Sequence, residues 1–192
     1  TRKRTLFPYT TLFRSLGNYE SELFDLSGTV SDLFTASGAG FEQAPIATTG
    51  IPADTNYRIR IPTALRSSID LVPGCSFTLN NVPVFRFNAI PQMPAYVASD
   101  ITVSGCPAPT VASAVAASAT TVAVTFSRNV APGSVMANGS QFTFDNGLTA
   151  SAATVSGRTV TLTTSAQTGA TAYTVTVANT VTDLQGTALG TP

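Results

Sequence analysis

Thr121-Val122-Ala123-Val124-Thr125-Phe126 sets an apolar residue at every second position, with Ala or Thr between. Side chains of a strand point alternately to its two faces, so Val122, Val124 and Phe126 make one apolar face. Threonine on the opposite face suits a pleated surface in water without needing charge. The same period recurs on either side. Residues 110–116 are expected to pair with 120–126, and 141–144 follow. The turn Asp145-Asn146-Gly147 leads into 148–155, and Ser156-Gly157-Arg158 turns into 159–164, with Val160 and Leu162 inward. Residues 172–178 then put Tyr173, Val175 and Val177 on one face. Short strands separated by turn chemistry predict an antiparallel sandwich over 110–192.

Upstream, residues 23–30 alternate and 57–61 do so strictly, with further strand candidates at 76–80, 84–87 and 96–103. No stretch of twelve residues carries a capped 3.6-residue repeat, so the whole chain is expected to be all-β. Gly105-Cys106-Pro107-Ala108-Pro109 marks a boundary, because two prolines in three residues cannot continue a central strand and favour a stiff connector. Composition shifts there too. Residues 110–192 contain 27 Ser and Thr in 83 positions and only four charged side chains, Arg128, Asp145, Arg158 and Asp183. The expected organisation is a barrel or sandwich domain at 16–106, a proline hinge at 107–109 and a sandwich domain at 110–192.

The full chain of 192 residues has 10 Lys and Arg, 10 Asp and Glu, and neither His nor Trp. Without imidazole, a Ser-His-Asp or Cys-His nucleophile and any histidine-ligated metal are excluded. Two cysteines cannot make a four-cysteine metal site, and no cofactor is implied. No run of eighteen apolar residues exists, so no membrane span is expected in this stretch. Four of the ten basic residues (Arg2, Lys3, Arg4, Arg14) fall in the first fifteen positions; removing them leaves 6 basic against 10 acidic, a net −4 for residues 16–192. Residues 5–15, TLFPYTTLFRS, resemble the codon-by-codon translation of a common short-read sequencing adapter. A secretory leader fits poorly, since Pro8, Thr10, Thr11 and Arg14 interrupt the apolar stretch. Residues 1–15 are therefore expected to be foreign or disordered, and both ends of the chain are expected to be cuts.

The second domain carries a resemblance. Residues 121–130, TVAVTFSRNV, resemble the "V-x-V-x-F-S-x-x-V" opening of bacterial Ig-like domains of the S-layer-protein (SbsA) type. Tyr173-Thr174-Val175-Thr176-Val177 is similar to that family's "Y-T-V-T-V" strand, and residues 182–189, TDLQGTAL, to its "D-x-x-G-N-x-L" loop. The chain departs where Gly-Asn becomes Gly186-Thr187 and where a proline becomes Asn129. The resemblance covers about 108–190 and implies an Ig-like sandwich lacking its last strand. In the first domain, Leu26-Ser27-Gly28-Thr29-Val30, Phe41, residues 58–62, Gly74, residues 86–92 and Asp100-Ile101-Thr102-Val103 resemble the small OB-like barrels beside extracellular bacterial nucleases and lamin-tail modules.

Cys75 and Cys106 are expected to form a disulfide closing a loop of about 30 residues. With Ser/Thr richness and lysine depletion, that suits an extracellular or cell-surface setting. The acids Glu20, Glu22 and Asp25 cluster, but as a solvated strand edge rather than a glycosidase pair. Asp145 reads as a hairpin turn rather than a calcium ligand, and Asp183 as a turn cap. The candidate binding face is Tyr57, Arg58, Arg60, Phe85, Arg86 and Phe87, joined by Tyr96 if these rings form an exposed platform. Residues 16–106 hold four Arg against eight acids, a net −4, so nucleic acid is an unfavoured partner. The expectation is a non-catalytic extracellular structural or presentation module of a larger bacterial surface or secreted protein. Its partners would be neighbouring domains and a cell-surface polymer or protein. The alternatives are an accessory binding module of a secreted, nuclease-like hydrolase and a carbohydrate or surface adhesion module.

Overall fold

The computed structural model describes residues 4–5, 22–49, 51–88 and 90–190. Apart from Thr5, the adapter-like segment lies outside the described residues, as does Glu20. The chain separates into two compact units, Thr1–Cys106 and Pro107–Pro192. Both are built almost wholly from strands, as the period-two pattern predicts.

The first unit contains β1 (Arg4–Thr5), β2 (Leu23–Val30), β3 (Thr35–Ala36), β4 (Phe41–Thr48), β5 (Ile51–Pro62), a short helix α1 (Thr63–Ser68), β6 (Ser76–Pro83), β7 (Phe85–Phe87), β8 (Ile90–Pro94) and β9 (Ile101–Ser104). β1 runs parallel to the start of β2, at Phe24 and Asp25. β2 pairs antiparallel with β4, and β4 with β5. β5 then pairs parallel with β8, the chain between them crossing over through α1, β6 and β7. The segment Ser76 to Phe87 closes the ring. Its first part, β6, is hydrogen-bonded to β2 and β9, and past Pro83 the same chain continues as β7 against β8. Five strands thereby meet end to end, and Phe24, Leu26, Ile46, Ile59, Ile61, Phe77, Leu79 and Met93 fill the interior.

Several expectations change here. Residues 96–103 are not one strand: the Asp100 carboxylate accepts the backbone N–H groups of Tyr96 and Val97 at 2.8 and 3.1 Å, folding a 3-10 turn at Ala98–Asp100. Only Ile101–Ser104 remains extended. β4 and β8 went unread because Pro45, Pro91 and Pro94 interrupt their pattern, and proline normally argues against a strand. α1, at six residues, is too short to carry a helical period.

Gly28 is one position where a side chain has no room. A Cβ there would lie 2.8 Å from the Ala47 carbonyl oxygen and 3.2 Å from the Phe77 ring. β2 is squeezed at this point between β4 and β6, as barrels often require of glycine. Cys75 and Cys106 form the expected disulfide, which ties the chain after β9 to the start of β6.

The second unit contains β10 (Val111–Ser118), β11 (Thr121–Phe126), β12 (Phe142–Phe144), β13 (Ala150–Ser156), β14 (Thr159–Thr164) and β15 (Val175–Val177). One sheet has the order β10-β11-β14-β13; β12 and β15 form another. Val122, Val124, Phe126, Val160 and Leu162 from the first sheet pack with Phe142 and Val177 from the second. Asn146 and Gly147 both have positive φ (51° and 74°) and the Leu148 N–H bonds back to the Asp145 carbonyl oxygen, so the turn forms. It is not the expected hairpin, because β12 pairs with β15 and β13 with β14 in a different sheet. The strand expected at 172–178 shrinks to three residues because its partner β12 is itself three residues long.

Two stability outcomes follow. Gly28→Val is expected to destabilise the barrel by about 1–3 kcal/mol through overpacking, read as a lower denaturant midpoint. Replacing both cysteines by Ala should cost about 3–4 kcal/mol, the entropy of reopening a loop of 31-residue separation, measured the same way.

Candidate functional site

Strict alternation along β5 decides where its side chains go. Tyr57, Ile59 and Ile61 are buried, which turns Arg58 and Arg60 to the outside. On β7 the same rule sends Phe85 and Phe87 to one side and Arg86 to the other. Register then aligns Phe85 with Gln92, and Arg60 with Gln43. These side chains border an outer groove of about 570 Å³, whose rim is completed by Ala36, Ser37 and Gly38 ahead of β4, by Asn88 at the β7–β8 turn, and by Tyr96 after β8.

Of the residues expected on a binding face, Arg60, Phe85 and Phe87 come together in this groove, with Tyr96. Tyr57 does not: its side chain is 2% exposed and belongs to the core. It sits in phase with Ile59 and Ile61, so the alternation that exposes the arginines must bury it. Arg86 is exposed but lies out of phase with Phe85 and Phe87, and Arg58 is not among the lining residues. Sequence reasoning missed Ser37, Gln43, Asn88 and Gln92. They come from four separate segments and no local pattern joins them; Gln43 and Gln92 also sit in the two strands that proline disguised.

The groove is held in shape by its own contacts. Gln92, 3% exposed, donates from Nε2 to Gln43 Oε1 at 3.0 Å. Arg60 donates to Ser37 through Nη2 (3.2 Å, to the carbonyl oxygen) and Nε (3.4 Å, to Oγ), while its guanidinium lies 3.7 Å from the Phe41 ring centroid. Tyr96 meets the edge of Phe41 with centroids 6.2 Å apart, and Asp100 fixes its backbone. Phe87 and Tyr96 nevertheless stay 62% and 47% exposed. Arg66 is separately engaged, with Glu42 and over Phe34. This prearranged concave surface, with exposed rings and converging polar groups, is the candidate binding site of the first unit.

The second unit offers one buried polar cluster. Arg128 Nη1 donates to Asp183 Oδ2 at 2.7 Å, with both side chains almost fully buried. Arg128 also donates to Gln185 Oε1 and to the Pro107 carbonyl oxygen. Asp183 Oδ1 accepts the backbone N–H groups of Gln185 and Thr187. The turn cap expected of Asp183 is therefore present, and the ion pair behind it was not foreseen. These bonds hold loop 182–189 and the chain at Pro107. Asp145 is similarly occupied, its Oδ1 accepting the Thr174 N–H at 2.7 Å. Among the described residues, no group of three or more His, Cys, Asp or Glu is placed to hold a metal ion, and no helix is long and apolar enough to cross a membrane.

Comparison with known proteins places one part of the chain: residues 99–192 match the family model of the bacterial Ig-like domain. Neither a curated protein nor a solved structure matches the chain significantly.

Removing one partner of the buried pair leaves the other charge uncompensated, so Arg128→Met alone should destabilise the second unit by about 3–5 kcal/mol. The double change Arg128→Met with Asp183→Asn is expected to cost less than the sum of the single changes. Denaturant unfolding of the four members of that cycle checks both outcomes.

Proposed function

We propose that this chain is a non-catalytic module of a larger bacterial surface or secreted protein. In this reading the Ig-like unit serves as a spacer and the N-terminal barrel carries a binding groove. The observation that carries it is the groove itself: two large rings left in water, beside a half-buried amide pair and a stacked arginine. Leaving apolar rings exposed in a surface the fold has otherwise organised makes sense when something covers them. The match of 99–192 to bacterial Ig-like domains supports the spacer role and a surface or secreted protein as the setting. The disulfide supports an oxidising, extracytoplasmic compartment. A Thr-rich surface whose exposed charges are Asp145 and Arg158, with Arg128 and Asp183 buried, fits a spacer that should attract nothing.

A second reading, the accessory binding element of a secreted hydrolase, is favoured by the strand order of the barrel. Five strands joined β2-β4-β5-β8-β7/β6, with one parallel pair and a helix between the third and fourth, are the arrangement expected of an OB-like barrel. The groove lies across β4 and β5 and beside the loops that follow β2 and β7, where such barrels take ligands. Both readings use the same surface.

Cosedimentation with isolated bacterial cell envelopes tests the groove. The full chain is expected to pellet with envelopes, and the double variant Phe87→Ala, Tyr96→Ala to stay in the supernatant at unchanged thermal stability. Equal pelleting of both proteins would remove the groove from the binding role.

A further inference from the structure

The polar chemistry of the groove narrows what it can hold. Ser37, Gln43, Asn88 and Gln92 are hydroxyl and amide groups, each able both to donate and to accept. A sugar hydroxyl also does both, so the match is two-way. A phosphate oxygen only accepts, so it would use the donor half of these groups and leave their acceptors without a partner. Among the lining residues Arg60 is the one cation, and no carboxylate joins it. Its guanidinium is already stacked on Phe41 and bonded to Ser37, so it serves as a flat, donor-edged wall.

Long-range electrostatics points the same way. Residues 16–106 carry four Arg against eight acids, a net −4, which repels a polyphosphate before it reaches the groove. The exposed faces of Phe87 and Tyr96 suit the flat C–H face of a pyranose ring, which is apolar where its rim is polar. The volume, about 570 Å³, lies in the range of small-molecule sites.

We infer that this groove binds an uncharged oligosaccharide, with sugar rings against Phe87 and Tyr96 and hydroxyls on Ser37, Gln43 and Asn88, while the buried Gln92 holds the Gln43 amide in place. The inference rests on the groove being the binding surface proposed above, and names its ligand class. The affinity should be nearly independent of salt, because no counterions are released when the ligand enters. Nucleic acid at the same surface would lose affinity steeply as salt rises.

The test titrates the full, isotopically labelled chain with cello-, malto-, laminari- and chito-hexaose, and separately with single-stranded oligo-thymidine. Nuclear magnetic resonance follows the backbone amides. One hexasaccharide is expected to shift Ser37, Gly38, Gln43, Asn88 and Tyr96 saturably, with the same dissociation constant in low and high salt. Phe87→Ala, which removes an exposed ring and leaves the core intact, should weaken that binding at least about tenfold, equivalent to roughly 1.4 kcal/mol. Gln43→Leu should weaken it too while keeping the rings. If oligo-thymidine moves these amides instead, with salt-sensitive affinity, the carbohydrate assignment falls and the groove stands as a site. If no hexasaccharide moves a groove amide although the double ring variant abolishes envelope binding, the assignment again falls alone. If envelope binding survives loss of both rings, the groove reading and this inference fall together.

Discussion

The barrel depends on one strand serving two neighbours. From Ser76 to Pro83 the chain satisfies the backbone groups of β2 and β9, and from Phe85 it turns to satisfy β8. Without that change of partner, β8 would be an open edge, and the interior around Phe24, Phe77 and Met93 would be open to water. Closure also sets the exterior. It carries β7 and its turn to the side where Arg60 and Gln43 emerge, so the groove is a consequence of how the ring is joined.

The second unit meets the same need differently. Its two sheets bury valines, leucines and phenylalanines in the usual way, but the loop after Val181 is held by isolated bridges, Val130 with Asp183 and Thr182 with Ala188, rather than by a strand ladder. A buried Arg128–Asp183 pair adds to them, reaching both that loop and the Pro107 carbonyl. Desolvating two charges is costly, and such a pair repays it only when its remaining donors and acceptors are also satisfied. Gln185, Thr187 and Pro107 do this. Half the charged residues of a charge-poor unit are spent inside it, which leaves its surface to threonine and serine.

Phe87 and Tyr96 show how a functional surface differs from a core in the same barrel. Tyr57 and Phe85 come from strands with the same alternation, yet one ring is interior and the other lines the groove. Composition alone puts these aromatics together as one candidate face. Only their phase on the strands, and the curvature that closes the ring, separates the buried from the exposed.

Period-two alternation with turn residues between was enough to make the chain all-β. It also located most strands of the second unit, because a half-buried strand writes its two faces into the sequence. The pairing of Cys75 with Cys106 followed from there being two cysteines. β4 and β8 escaped, since their prolines break the local signal while their neighbours supply the missing order. The parallel β5–β8 pair, the Gln43–Gln92 contact and the Arg128–Asp183 pair were likewise decided by tertiary structure. Each joins residues 34 to 55 positions apart. Local pattern records which way a side chain points; what it meets there depends on how the sheet closes.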